Sequence, residues 1–191
     1  MTPDLSRPRA TPPYDTLPAV PSFSLTSEDL ADGERMGDRF TAIHENLSPG
    51  LRWSGAPAGT RSFVVSCFDP DAPSPSGWWH WTVVDLPPSA AGLPRGAGES
   101  DDALGAPAFH VRNDAGTRAW YGPYPPAGDG DHRYVFAVHA LDVDTLGLDG
   151  SASAAAVACQ VSFHALGRAL LTATYSVPGA HAPFITEESH A

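Results

Sequence analysis

The chain has 191 residues, 42% of them hydrophobic, with 20 prolines, 18 glycines, two cysteines and a formal net charge of −11. That length suits one domain with a sizeable core, and the proline and glycine content argues against a helical bundle. The acidic balance and the lack of clustered cations weigh against nucleic-acid or anionic-membrane binding. Every basic side chain is arginine, which excludes Schiff-base, phosphate-loop and general-base lysine chemistry.

Residues 1–21 are rich in proline and arginine, lack the apolar run of a secretory signal and read as a flexible arm. The folded part opens with alternation at residues 22–25, and residues 51–53 give a second short strand after the Ser48-Pro49 turn. Residues 61–68 predict a central strand, because Phe63, Val65 and Cys67 lie on one face and Val64, Ser66 and Phe68 on the other. Residues 79–86 and 133–143 have the same β-branched and aromatic character. Between them, the glycine-rich acidic stretch 91–106 reads as a mobile surface loop. Residues 151–166 form the one good helical window, alanine-rich and with Ser151 at its N-cap; 169–177 alternate as a late strand.

This pattern predicts a mainly β protein: an antiparallel sandwich with one or two short helices near the C-terminus. It divides into an arm (1–21), a single domain (22–177) and a polar tail (178–191). Cys67 and Cys159 lack metal-knuckle or redox spacing and read as buried, inert thiols. No stretch is long and apolar enough to cross a bilayer, and a soluble cytoplasmic protein is expected.

Two polar segments stand apart from any ordinary core. One is Asp69-Pro70-Asp71-Ala72-Pro73 with Trp79-His80-Trp81; the other is Gly122-Pro123-Tyr124-Pro125-Pro126 with His132-Arg133-Tyr134. Each joins a rigid proline turn to a histidine entering an apolar strand. A histidine among tryptophans offers a polar group from a dry wall, as small-molecule pockets do. Asp69 and Asp71 repel unless donors or a proton separate them, so hydrogen bonds from backbone amides or a histidine are expected; capping their own turn explains them equally well. His80 alone reads as a core histidine, and it is His132, brought to the same end of a sandwich, that makes a site of the pair. There the acids orient and charge the imidazoles, leaving N–H donors for a bound oxyanion. Gly122 lets backbone approach a ligand, and Pro123 with Pro125 and Pro126 sets a wall. Arg112, Asn113, Asp114 and Arg118 lend charge nearby or simply form a turn.

In their order, these motifs resemble the phosphatidylethanolamine-binding protein family, also called Raf kinase inhibitor proteins. Asn46-Leu47-Ser48-Pro49 with Leu51-Arg52-Trp53, and Arg112-Asn113-Asp114, are similar to stretches of its bacterial and archaeal branch. The resemblance runs from about Phe23 to Tyr175 and implies a Greek-key sandwich of a large and a small sheet. It also implies a cavity for phosphate-type head groups or acetate, lined at the positions of Asp69, Pro73, His80, Gly122, Pro123, His132 and Tyr134. Asp71 lies within the same motif, where a turn role fits as well. The family usually has glycine or cysteine where Tyr124 stands, so Tyr124, with Trp78 at the rim, either narrows the mouth or is an exposed packing residue.

The expected function is that of a non-enzymatic binding module for a small anionic or phosphorylated ligand, with no cofactor. The resemblance further implies regulation of a kinase or protease, and a homodimer. The alternative is a metal-dependent hydrolase using the Asp/His cluster. A serine or cysteine hydrolase lacks its elbow, since Ser66 and Cys67 sit inside a strand.

Overall fold

In the computed structural model, which describes residues 7–179, two antiparallel sheets, one α-helix and three single-turn 3-10 helices account for the regular structure. The small sheet has the order β1-β2-β5, from β1 (Ser24–Thr26), β2 (Leu51–Ser54) and β5 (Gly92–Leu93). The large sheet is built from β3 (Ser62–Asp69), β4 (Trp78–Leu86), β6 (Phe109–His110), β7 (His132–Leu141) and β8 (Ala165–Tyr175), in the order β6-β4-β3-β7-β8. The expected mainly β, two-sheet architecture is therefore present, with a single α-helix, α1 (Ala154–His164).

β3 is central because it serves two cores. Phe63, Val65 and Cys67 join Trp81, Tyr134, Phe136 and the small sheet's Leu51 and Trp53. Val64, on the opposite face, packs with Val84, Leu141 and the helical Val157 and Val161. Strand period two sends alternate side chains to opposite faces, so apolar residues at every position require cover on both sides. Each such fully buried side chain contributes about 1.5–3 kcal/mol.

Several boundaries differ from expectation. The helix starts later because Ser153 is its cap, accepting the Ala156 N–H at 3.1 Å. Ser151 instead donates its N–H and hydroxyl to Asp149 Oδ1, at 2.7 and 2.6 Å. β8 begins directly at Ala165, where pairing with Leu141 of β7 captures the chain. Cys159 is exposed rather than buried: two residues from both Val157 and Val161, it is turned roughly 200° from the buried stripe. The stretch 91–106 is exposed along much of its length but pinned at Leu93, Ala97 and Gly98. Gly98 donates its N–H to Ser48 Oγ at 2.8 Å, and a Cβ there would stand 2.5 Å from Trp120 Cβ.

From residue 7 onward the arm lies along the domain. Arg133 Nη2 donates to the Ala10 carbonyl at 2.6 Å, and the Arg168 guanidinium sits 4.4 Å over the Tyr14 ring. The chain then bridges β8 at Ser22. Most of the expected tail lies outside the described residues.

Candidate ligand-binding site

Antiparallel pairing brings the end of β3 to the beginnings of β4 and β7: Asp69 pairs with Trp78, and Phe68 with Val135. At that end a cavity of about 270 Å³ opens among Asp69, Pro73, His80, His132 and Tyr134, with Ala72, Ser74, Trp78 and Tyr121 completing its walls and Tyr124, Pro125 and Pro126 beside them. The two histidines, 52 positions apart in number, thus share one hollow with the Asp-Pro turn.

His132 is held between two acids. Its Nδ1 lies 2.7 Å from Asp69 Oδ2 and its Nε2 lies 2.9 Å from Asp129 Oδ2. Two carboxylate acceptors call for two N–H donors, so the ring is an imidazolium. Burial pulls its pKa down, but the bonds and charges of Asp69 and Asp129 outweigh that effect and raise it. Asp69 Oδ1 meanwhile accepts the Asp71 N–H at 2.8 Å. Asp129 in turn receives Arg7 on both oxygens, at 2.7 and 2.9 Å, and its carboxyl is held below the ordinary range. Asp129 was not among the expected site residues; its signal was an acid three positions before the histidine, where a turn into a strand brings the two together.

His80 has the opposite character. Its Nδ1 lies 2.5 Å from the Tyr121 carbonyl, which fixes the proton there and leaves Nε2 as an acceptor. Burial lowers its pKa against the Tyr121 carbonyl and Asp69, and the ring is neutral. Its edge meets the Tyr134 ring at a centroid distance of 5.0 Å. The expected pair of charged imidazoles offering N–H groups to an oxyanion is therefore corrected: one ring is neutral, and the other spends both donors on carboxylates. The buried Trp78 indole N–H has no partner among the described residues, and no arginine lines the cavity.

Three expected residues stand outside the lining. Asp71 is bound to Arg133, taking Nε at 2.7 Å, Nη2 at 2.8 Å and the backbone N–H at 3.0 Å. Gly122 makes its close approach to the Phe40–Ala42 backbone rather than to a ligand. A Cβ there would run into the Phe40 carbonyl oxygen, and the Gly122 N–H donates to Asn46 Oδ1 at 2.8 Å. Pro123 accepts the Ala42 N–H through its carbonyl at 3.1 Å and sets that same packing. Tyr124, 61% exposed, stands at the mouth. Asp114 accepts the Trp79 N–H at 2.8 Å at the start of β4, and Arg118 turns to Asp101 at 2.5 Å, so neither charge lines the cavity.

Among the described residues no group of three or more His, Cys, Asp or Glu side chains is arranged to hold a metal ion, and none of their helices is long and apolar enough to cross a membrane. The metal-hydrolase alternative thus lacks its ligand set: the Asp/His cluster is knitted together by its own hydrogen bonds.

Residues 26–176 match the family model described as phosphatidylethanolamine-binding protein. The Escherichia coli UPF0098 protein YbhB is 45% identical over 159 residues, covering 81% of this chain and 100% of that one. A UPF0098 protein of Methanothermobacter thermautotrophicus is 38% identical over 155 residues, covering 80% of this chain and 98% of its own. The crystal structure of E. coli YbcL, described as a new member of the mammalian PEBP family, superposes with a TM-score of 0.79 at 38% identity, covering 82% of this chain and 99% of that one.

Proposed function

The chain belongs to the phosphatidylethanolamine-binding protein family, and from that membership we propose that it is a non-enzymatic binding protein whose cavity takes a small phosphorylated or other anionic head group. The observation that carries this reading is the cavity itself: about 270 Å³, walled by aromatic rings and prolines, with a few convergent polar groups. Such a space is below the usual drug-sized range and suits a head group of a few heavy atoms.

The polar groups set the guest's protonation. Asp69 and the neutral His80 Nε2 accept hydrogen bonds, whereas the Trp78 indole and the Tyr121 and Tyr134 phenols donate them. An oxyanion that is itself protonated, or that carries its own ammonium, satisfies both sets; a fully ionised one offers no proton to Asp69 or to His80 Nε2. Burial raises the Tyr134 phenol far above its ordinary value, so it stays a donor across the working pH range. Regulation of a kinase or protease would follow from a ligand-dependent change at the mouth, where Tyr124 is exposed.

Calorimetric titration with inorganic phosphate and with phosphoethanolamine tests this reading. Saturable binding to the wild type and its loss in His80→Ala, with the circular dichroism spectrum unchanged, are the expected results. Absence of binding by the wild type, or equal affinity in a folded His80→Ala variant, overturns it.

A further inference from the structure

Arg7 lies on the arm, ahead of the residues 26–176 that match the family model, yet it reaches the back of the cavity. Its Nη1 meets Asp129 Oδ1 at 2.7 Å and its Nη2 meets Asp129 Oδ2 at 2.9 Å, while Nη2 also donates to the Asp71 carbonyl. The contact is a two-pronged fork on a carboxylate with almost no solvent exposure, the geometry in which arginine pairs are strongest. We propose that Arg7 is a positioning residue of the ligand site, acting through Asp129 and His132 to hold the cavity's charged floor neutral for an incoming anion; this rests on the cavity reading given above.

The charge count supports that role. Arg7, Asp129, His132 and Asp69 form a continuous hydrogen-bonded chain of alternating sign, two cations and two anions. Removing Arg7 leaves that chain with one net negative charge, ending at the two members that line the cavity, Asp69 and His132. An anion would then enter against repulsion instead of a balanced floor. The other groups facing His132 do not replace the lost charge. Asp71 is matched by Arg133; His80 is neutral; Tyr134 stays protonated; and Tyr175, which pairs with His132 across β7 and β8, donates its hydroxyl to Asp38 at 3.2 Å. Arg9 approaches Asp71 at 3.9 Å and is more exposed.

At the separation of about two side chains, one unit charge in a partly screened site is worth roughly three- to tenfold in affinity. Arg7→Gln is therefore expected to weaken calorimetric binding of inorganic phosphate by that factor at low ionic strength, and Arg7→Lys to restore most of it. The same loss of a cation favours the imidazolium, so the NMR titration midpoint of the His132 ring should move upward in Arg7→Gln and return in Arg7→Lys. A merely structural arm contact would leave that midpoint in place. Wild-type phosphate binding with an unchanged affinity and His132 midpoint in Arg7→Gln overturns this inference and leaves the cavity reading intact. A wild type that binds no phosphate overturns the cavity reading, and the affinity effect with it.

Discussion

Asp69 and His132 face one another at 2.7 Å, and because Asp129 takes the other ring nitrogen at 2.9 Å, one imidazolium separates two carboxylates that are each almost wholly buried. Replacing the ring while leaving both acids removes the charge that justifies their burial, and breaking such a set costs on the order of 3 kcal/mol. His132→Gln should lower stability by about that amount near pH 6 in urea denaturation. The sign of the pH dependence follows from the raised folded-state pKa. The stabilisation is complete below the unfolded histidine's value of about 6.5 and is lost as pH rises through the folded value, so the gap between variant and wild type should narrow toward alkaline pH. A gap that widens with pH would contradict the imidazolium assignment.

Gly122 gives a test of a different kind, because its place in the sequence suggests ligand contact and its place in the fold is backbone packing. Gly122→Ala would push a methyl into the Phe40 carbonyl oxygen, with Ala42 N and Thr41 C each 2.8 Å away. No flexible side chain is there to yield, and an overpacked methyl of this kind costs roughly 1–3 kcal/mol. Gly37→Ala is the matched control: its Cβ would meet the Phe40 ring at an ordinary 3.5 Å, and its φ of −66° suits any residue. Thermal unfolding should therefore show a lowered midpoint for Gly122→Ala and little change for Gly37→Ala.

The contrast between these residues shows what the sequence could carry. Alternation in β3 marks a strand with two apolar faces, and the fold places Val64 and Val65 in different cores accordingly. The Asp-Pro turn and the two histidines are likewise legible, because proline-bounded strand ends in a sandwich gather at common edges. Hydrogen-bond direction is not legible. Whether an imidazole is charged depends on which atoms meet it, and a carbonyl at Tyr121 against a carboxylate at Asp129 makes one ring neutral and the other cationic. Nor does local pattern separate Asp69 from Asp71, two carboxylates with one residue between them; Arg133, 62 positions away from Asp71, claims one and His132 the other. The glycines of 91–106 suggest mobility for the same reason: nothing local says that Ser48 and Trp120 will close over Gly98.

His139 lies on the opposite face of β7 from the cavity and makes the fold sensitive to acid. It is buried: Nε2 accepts Arg168 Nε at 3.0 Å, Nδ1 has no partner among the described residues, and the Tyr14 ring lies 5.5 Å away. Burial, aided by the Arg168 charge, pushes its pKa down to about 3. The unfolded chain takes up a proton near pH 6.5 that the folded chain refuses until about pH 3, so stability falls as pH drops through that window, by at most about 1.4 kcal/mol per unit. Across the window the loss is on the order of a few kcal/mol. His80 and His110, also lowered by burial, act in the same direction, while His132 opposes them. His139→Gln keeps an acceptor for Arg168 but cannot titrate. Urea unfolding between pH 7 and 4 should give a shallower decline for this variant than for the wild type, after a cost on the order of 1 kcal/mol at neutral pH. Parallel declines would mean that the proton is taken up elsewhere and that His139 opens to water before it charges.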